Sequence, residues 1–298
     1  MQLTAENTAI VLDSTSDYPE ASALADGHDN VRVVPLHVLF HNLDGSEEDL
    51  LDHVGIDGHA FYERLQHAPR LPTTAQPSMG EFLRVYEELG RFERIYSLHL
   101  SQKLSGTYAS AVQAAGAVGA DRVRLVDAET ASLAVSLLAL AIERRLARGT
   151  TDAEIEALID RFKRDNRVVF TVATLENLQK GGRIGKAQAL VGSLLSVRPI
   201  LTVDEGVIVP VGKVRGRQKA LDEFRRLFEE ATTDEPGLRI GIAHADAPEW
   251  IEDLTALVAE ARPRAVVELV QLLGAVVGTH AGPGAVGFFW FADPDPEA

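Results

Sequence analysis

Short apolar runs alternate with stretches of helical periodicity from the first residues onward. Ala9–Leu12 is apolar and stops at the polar turn Asp13-Ser14-Thr15-Ser16-Asp17, and Val31–Phe40 reads as a second strand. His41–Asp57 is polar and acidic with scattered leucines, and predicts a long loop or a short irregular helix. Phe61–Leu65 begins an amphipathic turn. Ser78 and Glu81 have the spacing of a capping box, and Phe82, Val85 and Leu89 follow at helical intervals. Strands are expected at Arg94–Leu100 and Val123–Val126, and helices at Thr107–Val118 and Ser132–Ala147. A second capping box, Thr151 with Glu154, precedes Ile155, Leu158, Ile159 and Phe162 on one helical face. This strand-then-helix rhythm predicts a parallel sheet with helices packed on it.

After about Asp165 the pattern changes. Val168–Val172 is a strand, and a helix through Leu175 and Leu178 stops at Lys180-Gly181-Gly182-Arg183-Ile184-Gly185. A helix is expected over Ala187–Ser196. Pro199–Val203 and Val207–Val214 flank Asp204-Glu205-Gly206 as a hairpin. Ala220–Glu230 and Glu249–Ala261 are helical, and Leu238–Ala243, Val266–Leu269 and Val286–Phe291 are strands. The expected organisation is a parallel-sheet α/β domain in α/β/α layers over 1–165 and a mixed-sheet α+β domain over 166–298. The tail Asp293–Ala298, with two prolines and three acids, is expected to fray.

Composition narrows what these elements do. Apolar residues make up 46% of the 298, enough for substantial cores. No apolar run reaches the ~20 residues of a membrane helix. The strongest candidate, Ala131–Ile142, carries serines and reads as a buried helix. Met1–Asn7 lacks a basic region followed by an apolar stretch, so the cytoplasm is the default location. Cysteine is absent, which removes disulfides, thiolate catalysis and cysteine-ligated metals. The net charge of −15 disfavours nucleic acid and anionic bilayers as partners.

The chemistry concentrates in loops. Gly278-Thr279-His280-Ala281-Gly282-Pro283-Gly284 places one imidazole and one hydroxyl among three glycines and a proline. Glycine at that density implies positive φ or close backbone approach. A histidine there can donate to an anion, bind a metal or move a proton. The plainer alternative is a tight turn between two strands. Three hydroxyl-bearing segments, Ser14–Ser16, Thr73–Ser78 and Ser101–Thr107, belong at the carboxyl edge of a parallel sheet, where ligands of such sheets bind. Two of them lead into helices, whose N-terminal amides suit a carboxylate or phosphate. Ser105-Gly106-Thr107 is the strongest case, with Ser105 as a simple N-cap the alternative.

Enzyme signatures fail. Gly181–Lys186 lacks the spacing of a P-loop, no G-x-S-x-G elbow occurs, and the nine histidines show no helical metal-pair spacing. Asp13 more simply orders the hydroxyls of its own turn than starts a phosphatase loop.

Taken in order, the motifs resemble the DegV family of bacterial fatty-acid-binding proteins. Asp13-Ser14-Thr15-Ser16-Asp17 is similar to D-S-T-x-D, and Val34-Pro35-Leu36 to the following strand. Thr74-Ala75-Gln76-Pro77-Ser78 is similar to T-S-Q-P-S and precedes Glu81-Phe82. Leu104-Ser105-Gly106-Thr107-Tyr108 matches L-S-G-T-Y. Lys180–Ile184, Lys213-Val214-Arg215 and Gly278–Gly284 resemble motifs of the second half.

The resemblance implies two domains enclosing a long-chain fatty acid, with no cofactor and no metal. Its carboxylate would be held by Thr74, Ser105 and His280, supported by loops carrying Ser14, Thr15, Gly106, Thr107, Thr279 and Gly282. It further implies a carrier rather than an enzyme, one that presents the acid to a separate ATP-dependent fatty-acid kinase, with Arg183 as the partner contact. Two departures stand out: Ala75 replaces the usual serine, and His41–Gly55 is longer and more acidic than the family pattern. Two other functions fit the residues. One is a serine-dependent acyl hydrolase using Ser105 and His280, with Asp13 or Asp127 as orienter. The other is a sensor in which the lipid is a structural plug.

Overall fold

The computed structural model describes residues 1–19, 29–119, 121–192 and 197–293. Two main sheets organise it. The first is four-stranded and parallel, in the order β2-β1-β6-β7, from β1 (Thr8–Asp13), β2 (Val31–Val34), β6 (Arg94–His99) and β7 (Val123–Asp127). Strand β1 is buried along its whole length, as expected for the centre of a parallel sheet. The second is six-stranded and mixed, in the order β10-β9-β8-β13-β11-β12. It comprises β8 (Arg167–Thr171), β9 (Arg198–Asp204), β10 (Val207–Val214), β11 (Leu238–His244), β12 (Val266–Leu272) and β13 (Val286–Ala292). Only β11 and β12 run parallel there. The expected fold class is the one observed.

Three apolar clusters explain how the layers hold. Ala9 and Val11 on one face of the parallel sheet pack on α2 (Met79–Glu88) and α3 (Thr107–Val118) through Phe82, Tyr86, Ala111 and Ala114. Ile10 and Leu12, on the opposite face, belong to a cluster that runs through α4 (Leu133–Arg148) and α5 (Asp152–Asp165) to Leu201, Phe289 and Phe291 of the second sheet. Helix α4 is therefore apolar on nearly all sides, because it is covered from both sheets. The far face of the second sheet packs Phe288 and Trp290 on Phe224 and Phe228 of α7 (Gly216–Ala231) and Trp250 of α8 (Glu249–Ala261). Strand β13 thus alternates: Phe288 and Trp290 face one cluster, Phe289 and Phe291 the other.

Several expectations are corrected. The stretch 31–40 is not one strand, because Pro35-Leu36 separates β2 from β3 (His37–His41), which belongs to a third sheet. The acidic 41–57 segment is neither loop nor helix in its centre. Glu47–Leu51 forms β4, antiparallel to β3, and Thr73–Ala75 forms β5 on the other side of β3. The outward carboxylates of β4 meet His37 at Asp49 and His41 at Glu47, so the acids pair across the hairpin. The turn at Phe61 lengthens into helix α1 (Gly58–His67), and the helix expected through Leu178 is the short α6 (Glu176–Lys180). The helix expected at 187–196 is a 3-10 segment at Gly185–Leu190, and residues 193–196 lie outside the described residues. Asp293 is not frayed: it is buried, and its carboxylate accepts from Arg145 Nη2 at 2.6 Å. Residues 294–298 lie outside the described residues.

Candidate functional site

The segment carrying His280 is helical. Helix α9 (Ala275–Ala281) ends at Gly282, and His280 stands in its last turn rather than in a turn between strands. Gly282 and Gly284 have φ of 76° and 78°, the left-handed backbone that lets the chain reverse into β13. Gly278 serves close approach instead, since a Cβ there would stand 2.4 Å from the Tyr62 hydroxyl of α1.

The start of α9 is fixed by two buried carboxylates. Asp52 Oδ1 accepts from Ala275 N at 2.8 Å, and Asp17 Oδ1 accepts from Gly274 N at 2.8 Å. Ser14 Oγ donates to Asp52 Oδ2 at 2.8 Å and accepts from Leu36 N. His53 Nε2 lies 3.5 Å from Asp17 Oδ1. Burial pushes the Asp52 carboxyl up to about 6, with the nearby His53 opposing and Asp17 reinforcing. The acidic segment thus contributes an anchor for the helix bearing His280, a role with no local signature in the chain.

Between the two main sheets lies a cavity of ≈ 320 Å³. Its body is apolar, with walls that include Leu100, Val168, Phe170, Leu178, Ile208 and Phe289. Polar groups gather from distant segments: Thr15, Thr74, Gln76, Ser105, Arg183 and His280. Thr74 comes from edge strand β5, Ser105 from the loop before α3, and His280 from α9. Thr74 Oγ1 and His280 Nε2 are 2.9 Å apart. Ser105 Oγ is 2.9 Å from Thr107 Oγ1 and accepts weakly from Thr107 N. Ser105 is not the N-cap. That position is Gly106, where a Cβ would stand 2.1 Å from the Gln76 side-chain oxygen.

His280 Nδ1 is buried without a hydrogen-bond partner and lies against Gly181, where a Cβ would stand 2.2 Å away. Burial, then the Arg183 charge, lowers the His280 imidazole from 6.5 to about 4. The ring is neutral at pH 7. Since the folded pKa lies below the ordinary one, protonation opposes folding: this contribution is whole above pH 6.5 and lost as pH falls toward 4. Asp52 acts in the opposite sense, gaining stability as pH falls through 6. NMR of the imidazole carbons is expected to place the His280 midpoint near 4 without ligand. A midpoint at 6.5 would mean the ring is open to water.

Arg183 is half-buried rather than presented to solvent. Its Nε donates to Leu104 O at 3.0 Å and its Nη1 to Gly181 O at 2.7 Å. It therefore ties the L-S-G-T-Y loop to the K-G-G-R-I turn at the polar end of the cavity. Thr15 lines the cavity, but its hydroxyl donates to Asp13 Oδ1 at 2.5 Å. Two predicted supporting residues face elsewhere: Ser14 is committed to Asp52, and Thr279 Oγ1 donates to Ala275 O within α9. Gln76 was missed, although it sits in the quoted T-A-Q-P-S segment. The hydrolase reading loses its orienter. Asp13 Oδ2 pairs with His99 Nδ1 at 3.1 Å, and Asp127 accepts from Gln102, so neither carboxylate is bonded to His280.

Among the described residues no helix is long and apolar enough to cross a membrane, and no group of side chains could hold a metal ion. Fold and site define a layered α/β protein that encloses an apolar chamber with a polar end. The chain belongs to the DegV family, whose model, described as an uncharacterised protein family, matches residues 7–293. It is 36% identical over 291 residues to Protein DegV of Bacillus subtilis, covering 95% of this chain and 99% of that one. It is 35% identical to a fatty acid-binding protein of Thermotoga maritima, covering 94% and 96% respectively. A solved DegV family protein from Thermus thermophilus, described for its fatty-acid binding, superposes with a TM-score of 0.83 at 37% identity, covering 96% and 99%.

Proposed function

We propose that this protein binds a long-chain fatty acid in the cavity between its sheets, with the carboxylate held by Thr74, Ser105 and His280. The observation that carries this reading is the chamber itself: an apolar body with hydroxyl, amide and imidazole groups gathered at one end beside Arg183. Relatives described as fatty-acid binders support it. Burying an acyl chain gains ~0.8 kcal/mol per methylene, on the order of 10 kcal/mol gross for a long chain. The carboxylate leaves water and needs directed donors in return. With its proton on Nε2, neutral His280 donates to Thr74 Oγ1, so it holds the acid through the threonine hydroxyl, which is left free to donate to the carboxylate.

The proposed organisation remains a parallel-sheet domain over 1–165 and a mixed-sheet domain over 166–298, with the lipid between them and α4 packed on both sheets. The protein acts as a carrier, and a separate ATP-dependent fatty-acid kinase phosphorylates the presented carboxylate. Arg183 is the proposed partner contact. Because it also braces the polar end of the cavity, its variants should be judged on acid content as well as on phosphoryl transfer. Denaturing extraction and mass spectrometry are expected to recover about one fatty acid per chain. Labelled acid should exchange in, and a fatty-acid kinase with ATP should convert it to acyl phosphate only when protein is present. A chain that takes up no acid overturns the reading, and acid that never exchanges identifies a structural plug.

A further inference from the structure

Strand β13 forms part of the cavity wall, and its two wall residues on one face, Gly287 and Phe289, are not independent. A Cβ built on Gly287 would stand 2.6 Å from Phe289 Cε2 and 2.8 Å from its Cζ. The phenyl ring therefore lies back along the strand, over the bare backbone of Gly287. It occupies the space that any other residue's side chain would fill. Gly287 is opposite Phe170 on β8 and opposite Ala243 on β11, so it is a gap between two side chains on that sheet face. Beside it, Gly241 is opposite Phe289, and a Cβ there would meet Leu133 of α4 at 3.1 Å. That side is closed to the ring. If Gly287 carried a methyl, the sheet would block retreat below and α4 would block it sideways. On the β8 side Val168 is opposite Phe289 and Phe170 is opposite Gly287, so the direction left to the ring is outward, into the cavity that these residues line.

We infer that the Gly287–Phe289 pair sets the depth of the acyl chamber, and hence which chain lengths this protein accepts. The inference rests on the fatty-acid reading above. It concerns the apolar wall and makes no use of the carboxylate cradle. Each methylene excluded from the chamber should lower relative affinity roughly fourfold, and two should lower it by more than tenfold.

The test loads the parent and three variants with an equimolar mixture of saturated acids from C12 to C20, then quantifies retained acids by mass spectrometry. Gly287→Ala should shift the retained distribution toward shorter chains. Phe289→Leu should shift it toward longer ones. In Gly287→Ala/Phe289→Leu the ring is gone, so the methyl has nothing to displace and the shift toward shorter chains should disappear. A shortened profile that persists in the double variant overturns the proposed coupling. If Gly287→Ala does not fold, Phe289→Leu alone decides, and a parent-like profile overturns the inference. A parent that loads normally beside variants with unchanged profiles sinks this inference alone. A parent that retains no acid sinks the fatty-acid reading and this inference with it.

Discussion

Replacing Asp13 with alanine is expected to lower the unfolding free energy by about 3–5 kcal/mol, because each buried donor left without its acceptor costs about 1–3 kcal/mol. Asp13 is 1% exposed and serves four donors. Thr15 N and Thr15 Oγ1 donate to Oδ1, and His99 Nδ1 and Leu100 N lie within reach of Oδ2. His99 itself is fully buried, with Nε2 2.7 Å from Ser97 Oγ, which in turn contacts the Tyr86 hydroxyl. Alanine would strand donors at the carboxyl ends of β1 and β6 at once. Asparagine keeps an acceptor and should cost less. Urea unfolding of parent and both variants checks the order, and a loss under about 1 kcal/mol for alanine would show that water enters and substitutes. The same variants bear on catalysis. Acyl-ester turnover should be absent in the parent, because this carboxylate is committed to His99 and not to His280.

Asp13 also shows what the sequence does and does not disclose. Its link to Thr15 is local, two residues away, and follows from the habits of Asp-Ser-Thr turns. Its link to His99 spans 86 residues and has no local signature. The same division runs through the whole molecule. The capping boxes at Ser78 and Thr151 and the β9–β10 hairpin are legible because their determinants lie within a few residues. The strand β4 was not, because Glu47–Leu51 has a composition unsuited to a strand. It is held by pairing with β3 and by histidines on that neighbour. The helix at 275–281 was hidden by Gly278 within it and by the flanking Gly274 and Gly282, since glycine lowers intrinsic helix preference. Capping by Asp17 and Asp52 and packing on Tyr62 override that preference.

The site follows the same rule. Thr74, Ser105 and His280 were each visible as polar residues in glycine- or hydroxyl-rich segments, but nothing in the chain shows that Thr74 touches His280 across 206 positions. The motifs at 180–184 and 278–284 meet in space as well. Gly181 admits the His280 ring, Arg183 adds positive charge beside it, and Asn177 Nδ2 donates to Thr279 O. Resemblance to a family supplied the grouping that spacing alone could not. Arg183 is the instructive case: its motif was found, while its place as a half-buried brace between two backbone carbonyls depended on the fold.

The largest effect on ligand is expected from removing hydroxyls at the polar end. Thr74→Val keeps the shape of the side chain on edge strand β5 and deletes its donor. Hydrogen bonds to charged groups contribute about 1.5–3 kcal/mol, so affinity for a long-chain acid should fall roughly 10- to 150-fold. Ser105→Ala should weaken binding in the same direction, and the double variant need not show the product, since both hydroxyls would serve one carboxylate. His280 remains in both variants, but in Thr74→Val its Nε2 loses the hydroxyl it faces at 2.9 Å. The decisive comparison uses the acid and its methyl ester. The parent should prefer the acid strongly, because only the carboxylate exploits donors that neutral side chains aim at a charge. Both variants should lose most of that preference while still binding the ester, whose hold on the apolar wall is untouched. Titration against a displaceable fluorescent acid gives all the values on one scale. If Thr74→Val and Ser105→Ala both discriminate acid from ester as the parent does, the carboxylate is held elsewhere in the cavity.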